Sequence, residues 1–199
     1  MVANRHDGDL AGSGSSIRGR WRFRPWRAKA TAAAAAGERL YRTIVEQARN
    51  PEFYQQWEVP DTPDGRFDMI ALHAILVLRR MRDDATAANT AQALFDRMFV
   101  DFDESLREMG VGDLRVGKQV KAMAKGVYGR IVAYGDALDR KDQAGLAEAL
   151  RRNVYRSAVP VDDSVARLAS YMQREADSLA GTDITALLAG TFRFLPPSS

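Results

Sequence analysis

The stretch REMGVGDLRVGKQVK, residues 107–121, decides between two fold classes. Its segment Gly112-Asp113-Leu114-Arg115-Val116-Gly117-Lys118 satisfies the G-x-x-x-x-G-K part of a phosphate-binding P-loop, which would imply an α/β nucleotide-binding domain. The residue after the lysine is Gln119, however, where magnesium binding needs a Ser or Thr hydroxyl. The preceding VDFDESLREM has the charge pattern of an amphipathic helix and not of a buried strand. Downstream, no apolar strand ends in an aspartate that would complete a magnesium site. The stretch therefore reads as a helix–glycine–helix junction without a nucleotide. Gly110 supplies the left-handed residue that ends the first helix, and Asp113 is expected to accept the first backbone amides of the second.

Outward from the junction, helical periodicity continues in both directions. On the N-terminal side, over 86–109, Ala91, Leu94, Phe95, Met98, Phe102 and Leu106 form one apolar stripe. Asp96, Asp101, Asp103, Glu104 and Glu108 take the opposite side. On the C-terminal side, Val116, Val120, Met123, Val127, Ile131 and Tyr134 repeat at steps of four and three, and Lys118, Lys121 and Lys125 share another face, with Arg115 near its start. That face is either an ordinary solvated surface or a contact surface. Upstream lies the most apolar segment, FDMIALHAILVLRRMR (67–82). Its 12 apolar-dominated residues before Arg79 would rise about 18 Å, short of the roughly 30 Å of a bilayer core, so it predicts a central core helix. An alanine-rich first helix ends at Asn50-Pro51, and EFYQQWEVPDTPDGR reads as a connection whose aromatics pack on the core. Further helices are expected near 142–155, 162–180 and 183–189, with Asp142 and Asp162 or Asp163 as N-caps and Gly181 as a C-cap. The sum is an all-α fold of about six to eight helices in one compact domain over 37–190. A basic arm precedes it at 1–36, expected to be disordered, and a tail follows at 191–199.

Composition narrows the chemistry. The 199 residues include no cysteine, which excludes disulfides, thiolate metal sites and a cysteine nucleophile. Two histidines, His6 and His73, give no metal pair, and no G-x-S-x-G elbow accompanies them. His73, inside the apolar run, reads as a packed core residue. No catalytic residue, cofactor or metal site is expected. Residues 1–30 carry seven Arg or Lys against two Asp, a net of +5, which leaves the remaining chain 22 basic and 24 acidic residues. Within that arm, Arg18, Arg20, Arg22, Arg24 and Arg27 interleave with Trp21, Phe23 and Trp26, a pattern suited to RNA or an anionic membrane surface, or to a plain solvated tail. Its Arg and Ser content is also that of a transit peptide, against which Asp7 and Asp9 stand.

FDMIALHAILVLRRMR together with QALFDRMFVDFDESLREMGVGDLRVGKQVKAMAKGVYGR resembles the ubiquinol-cytochrome c chaperone family. The likeness runs from about Tyr41 to Tyr155 and is strongest over 67–130, where it includes long polar stretches. Phe102 departs from the family, which often has Met there. The resemblance implies an all-helical assembly factor for respiratory complex III that binds newly made cytochrome b, acts at the ribosome in mitochondria, and pairs there with a small partner subunit. By carry-over it singles out Asp101, Asp103, Arg107, Gly110, Gly112, Asp113, Gly117, Lys118, Lys121, Tyr128 and Arg130. With the neighbouring Arg115 and Lys125, the charged and aromatic members of this set are candidates for client or partner contact. The expected setting is the cytoplasm at the inner membrane, or the mitochondrial matrix in a eukaryote. A basic RNA- or ribosome-binding helical module without chaperone activity is the alternative.

Overall fold

The computed structural model describes residues 32–198. Eight α-helices follow one another: α1 (Ala32–Ala48), α2 (Pro51–Gln55), α3 (Pro63–Met81), α4 (Ala88–Glu108), α5 (Asp113–Asp139), α6 (Gln143–Asn153), α7 (Asp162–Gly181) and α8 (Ile184–Ala189). A 3-10 turn at Ala85–Ala87 leads into α4, and among the described residues there is no strand. The 107–121 stretch is a helix–turn–helix: Gly110 has φ +81° and Gly112 is the N-cap of α5. The amides of Arg115 and Val116 already donate to the carbonyl of Gly112, at 2.7 and 3.2 Å. Backbone N–H groups spent in a helix are not available to cradle a phosphate, which removes the P-loop geometry.

Local chemistry sets most boundaries. Asn50 accepts from the Glu52 amide with Pro51 in the first turn of α2, and Asp142 accepts from Gly145 N at 2.8 Å to start α6. Several boundaries differ from expectation: α1 already begins at Ala32, inside the segment expected to be a disordered arm, and Thr182 rather than Gly181 is the C-cap of α7. The segment PDGR is the first turn of α3 and not a connection, because Thr62 accepts from Gly65 N at 3.1 Å and Pro63 fits the first helical position. Neither Asp113 nor Asp162 nor Asp163 is an N-cap. Gly112 and Val161 hold those positions with no side-chain cap, and the aspartates sit in the first turn, where a negative charge still suits the positive helix end.

α3 is the central helix, with 13 of its 19 residues buried, from Gly65 to Met81. No described helix is long and apolar enough to cross a membrane. α1 lies parallel to α4: Glu38 accepts from Arg97 at 2.7 Å and Asp101 from the Tyr41 hydroxyl at 2.7 Å. Their axes approach so closely at Gly37 that an added Cβ would stand 2.8 Å from the Leu94 nitrogen. α3 lies parallel to α5, with Asp68 paired to Arg130 and Arg79 to Asp139, each at 2.6 Å. This register has a consequence at the other end. Residues 113–124 of α5 run past the start of α3, about 18 Å of helix at 1.5 Å per residue. They run beside the C-terminal half of α4, and across a cleft from them stand the entry to α3 and Tyr54 of α2. The α4–α5 hairpin therefore projects from the body.

His73 is fully buried in α3. Its Nδ1 donates to the Met69 carbonyl at 2.8 Å, and its Nε2 accepts from the Tyr171 hydroxyl at 2.9 Å. Burial pushes its pKa down to about 4, so the ring is neutral in this core. The residues after α8 pack rather than trail away. Phe192 is buried, the Phe194 ring lies 5.1 Å from that of His73, and Gln47 donates to the Leu195 carbonyl at 3.0 Å.

Candidate functional site

Where the hairpin leaves the body, it and the start of α3 enclose an open cleft of about 820 Å³. The apolar lining comes from Phe67 and Ile70 of α3, Phe102, Leu106 and Met109 at the end of α4 and beyond it, and Met123 of α5. The polar rim comes from Asp61, Asp64 and Arg66 at the entry to α3, with Asp101, Glu108 and Gln119 on the hairpin. Ala122 and Gly126 line the α5 wall. Arg130 and Arg156 stand at its inner end.

The inner end is held by a buried ion network. Asp68, 2% exposed, accepts from Arg130 at 2.6 Å and from Arg156 at 2.5 Å, and Arg156 also reaches Asp64 at 3.0 Å. Arg130 lies over the Phe67 ring with 5.6 Å to the centroid. Its Nε is buried and has no acceptor among the described residues. Tyr54, also lining the cleft, has its phenol pushed up to about 12 by burial. At the junction of α1 and α4, burial and then the Asp101 carboxylate hold the Tyr41 phenol above its ordinary range.

The described residues singled out from sequence fall into four places, and the arm residues lie outside the described range. Asp101 and Arg130 line the cleft, but Arg130 is 8% exposed and committed to Asp68, so it is a structural cation rather than a free contact. Asp103, Arg107 and Asp113 form one chain of ion pairs. Arg107 donates to Asp103 at 2.5 Å within α4 and also pairs with Asp113 across the turn. These three staple the hairpin. Tyr128 is partly buried, with its ring 5.5 Å from that of Phe95. Arg115, Lys118, Lys121 and Lys125 are exposed, and no described acid pairs with them. The arm residues Arg18, Arg20, Trp21, Arg22, Phe23, Arg24, Trp26 and Arg27 lie outside the described residues. Sequence reasoning missed the cleft itself, along with Asp64, Asp68 and Arg156. The i, i+4 pair Asp64/Asp68 at the start of an otherwise apolar helix was the one local signal, since a carboxylate inside a core helix needs a cationic partner.

What these parts define is an all-helical scaffold with an open, mixed-polarity cleft at the root of a projecting hairpin. The chain belongs to the ubiquinol-cytochrome C chaperone family, whose model matches residues 55–194. The match thus reaches well past Tyr155, through α6, α7, α8 and the packed tail. The chain is 27% identical over 179 residues to ubiquinol-cytochrome c reductase complex assembly factor 1 of Mus musculus, covering 88% of this chain and 58% of that protein. To the Xenopus laevis protein of the same name it is 25% identical, covering 88% of this chain and 86% of that one. The crystal structure of the Cbp3 homolog from Brucella abortus superposes with a TM-score of 0.76 at 40% identity, covering 84% of this chain and 92% of that one. The chain therefore spans under three fifths of the mouse relative's length.

Proposed function

We propose that this protein is an assembly chaperone for respiratory complex III, a binding protein and not an enzyme, and that its client is newly made cytochrome b. The carrying observation is the open cleft, in a chain whose relatives are named for assembly of ubiquinol-cytochrome c reductase. A membrane-protein client exposes apolar side chains before it inserts, and Phe67, Ile70, Phe102, Leu106 and Met123 offer them a surface out of water. A volume of about 820 Å³ takes a handful of side chains and not a whole spanning helix, so the cleft grips one short stretch. Such a grip is shallow and reversible, as a chaperone requires. The setting in a bacterium is the cytoplasmic side of the inner membrane, and in a eukaryote the matrix side.

A photo-crosslinking amino acid placed at Ile70 or Met123 tests this in cells. Cytochrome b is expected among the crosslinked proteins from both positions and not from Val159, an exposed site on the α6–α7 loop. A strain lacking the protein is expected to lose assembled complex III. Crosslinks without cytochrome b, together with normal complex III in that strain, would overturn the reading.

A further inference from the structure

The projecting hairpin carries features that a client cleft does not need. On α5, Leu114, Lys118, Lys121 and Lys125 recur at steps of four, three and four, one stripe of a 3.6-residue helix. The stripe lies opposite the buried Val116, Val127 and Tyr134, so it points away from the body. Leu114 is 97% exposed and Met109, at the same tip, 53%. Arg115 adds a fourth cation beside the stripe. None of the four is paired among the described residues, whereas the acids around the turn mostly are: Asp103 and Asp113 with Arg107, and Glu104 within 3.9 Å of Arg97. Glu108, the acid that remains, lines the cleft. The other exposed apolar side chains, Val159 and Val161, have a different setting. There Arg151 is paired with Asp162, Arg156 with Asp64 and Asp68, and Arg167 with Asp163.

An outward leucine in line with unneutralised lysines fits an anionic lipid surface, where the apolar group enters the interface and the ammonium groups meet headgroups. Single-stranded nucleic acid would call for aromatic groups to stack its bases, and the stripe has none. The geometry points to the projecting end of the α4–α5 hairpin as a docking element for an anionic bilayer, with Leu114 at the interface and Arg115, Lys118, Lys121 and Lys125 against lipid headgroups. This assignment does not depend on the identity of the client. It places the cleft at the root of an element that touches the membrane, within reach of a chain entering or leaving it.

Because the chain has no cysteine, Leu114→Cys in the full-length protein accepts one environment-sensitive fluorophore. With vesicles of phosphatidylcholine and phosphatidylglycerol, its emission is expected to rise and shift to the blue. No such change is expected with phosphatidylcholine alone, or from the same label at Ala180→Cys, an exposed position on α7. Replacing Lys118, Lys121 and Lys125 together with Gln is expected to lower vesicle partition about 100-fold, at roughly fivefold per cation. An unchanged circular dichroism spectrum would show that the variant is folded. Vesicle binding without a change at position 114 assigns the contact to another surface, such as the arginine-rich arm, and overturns the proposal. A triple variant that keeps its vesicle affinity but loses binding to polyuridine also overturns it, in favour of a nucleic-acid surface. Loss of complex III with vesicle docking intact would instead bear on the cleft alone.

Discussion

Asp68 and Lys118 are both charged residues on helices of the same protein, and their surroundings give them opposite weight. Asp68 is sealed between two guanidiniums in the core, so removing its charge leaves Arg130 buried without a counter-ion. Asp68→Asn is expected to cost about 3–5 kcal/mol, the usual penalty for breaking one side of a buried pair. Lys118→Gln touches no described partner and is expected to stay within about 0.5 kcal/mol of the parent. Urea unfolding of the two variants measures the difference, and equal midpoints would contradict the structural role given to Asp68. The same contrast explains an error of sequence reading at this scale. Sequence proximity groups Arg130 with the lysines, but five residues at about 100° each place it about 140° round α5 from Lys125, on the buried side of Val127 and Tyr134. Its partner Asp68 lies 62 residues earlier, and no local pattern announces a partner at that distance.

Among elements, the contact of α1 with α4 is the least forgiving. At Gly37 a methyl group would meet Leu94 N at 2.8 Å and the Ala93 carbonyl carbon at 2.9 Å, which are backbone atoms that cannot rotate away. Gly37→Ala is therefore expected to destabilise by about 1–3 kcal/mol, despite the helix-favouring side chain it adds, as read from thermal unfolding. The anchoring of the tail on α7 supports a pH prediction. Leu195 N donates to Glu175 Oε1 at 2.5 Å, and burial raises the Glu175 carboxyl from its ordinary 4.5 to about 7. A folded-state pKa above the unfolded value means stability that is present below pH 4.5 and lost as pH rises through about 7. His73 acts in the reverse sense: with a folded pKa near 4 against 6.5, it adds stability as pH rises between those values. The two slopes oppose each other over nearly the same window. Glu175→Gln removes one of them, so relative to wild type its stability is expected to rise from about pH 4.5 to about 7 in urea titrations. A flat difference would refute the assignment. The elements themselves were legible from sequence because their signals are local. The apolar run within α3, the stripes of α4 and α5, and Gly110 at the turn each occupy a few successive residues. Thr62 and Pro63 were equally local signals of a helix start, hidden by the proline-rich context before them. Phe192 and Phe194 looked like tail residues because the His73 surface that receives Phe194 is far away in sequence.

At the scale of the molecule, the family likeness was legible in the polar residues of 101–130, but the cleft was not. It is assembled from the start of α3, the end of α4, the middle of α5 and Arg156, and only the parallel register of α3 with α5 brings them together. The cationic stripe was visible as spacing, whereas its projection beyond the body follows from that same register. One feature of the fold also bears on when the protein can form. Gln47 of α1 donates to both the Tyr171 hydroxyl and the Leu195 carbonyl, and Arg39 donates to the carbonyls of Leu188 and Ala189. The beginning of the helical body is thus fastened to its far end, around an α3 whose His73 waits for Tyr171. During synthesis the central helix emerges more than a hundred residues before the last of these partners. Until residue 195 has left the ribosome, its apolar surface has no complete cover. Closure of this core is therefore a late event in the chain's own folding, because the contacts that complete it join α1 and α3 to residues 171–195.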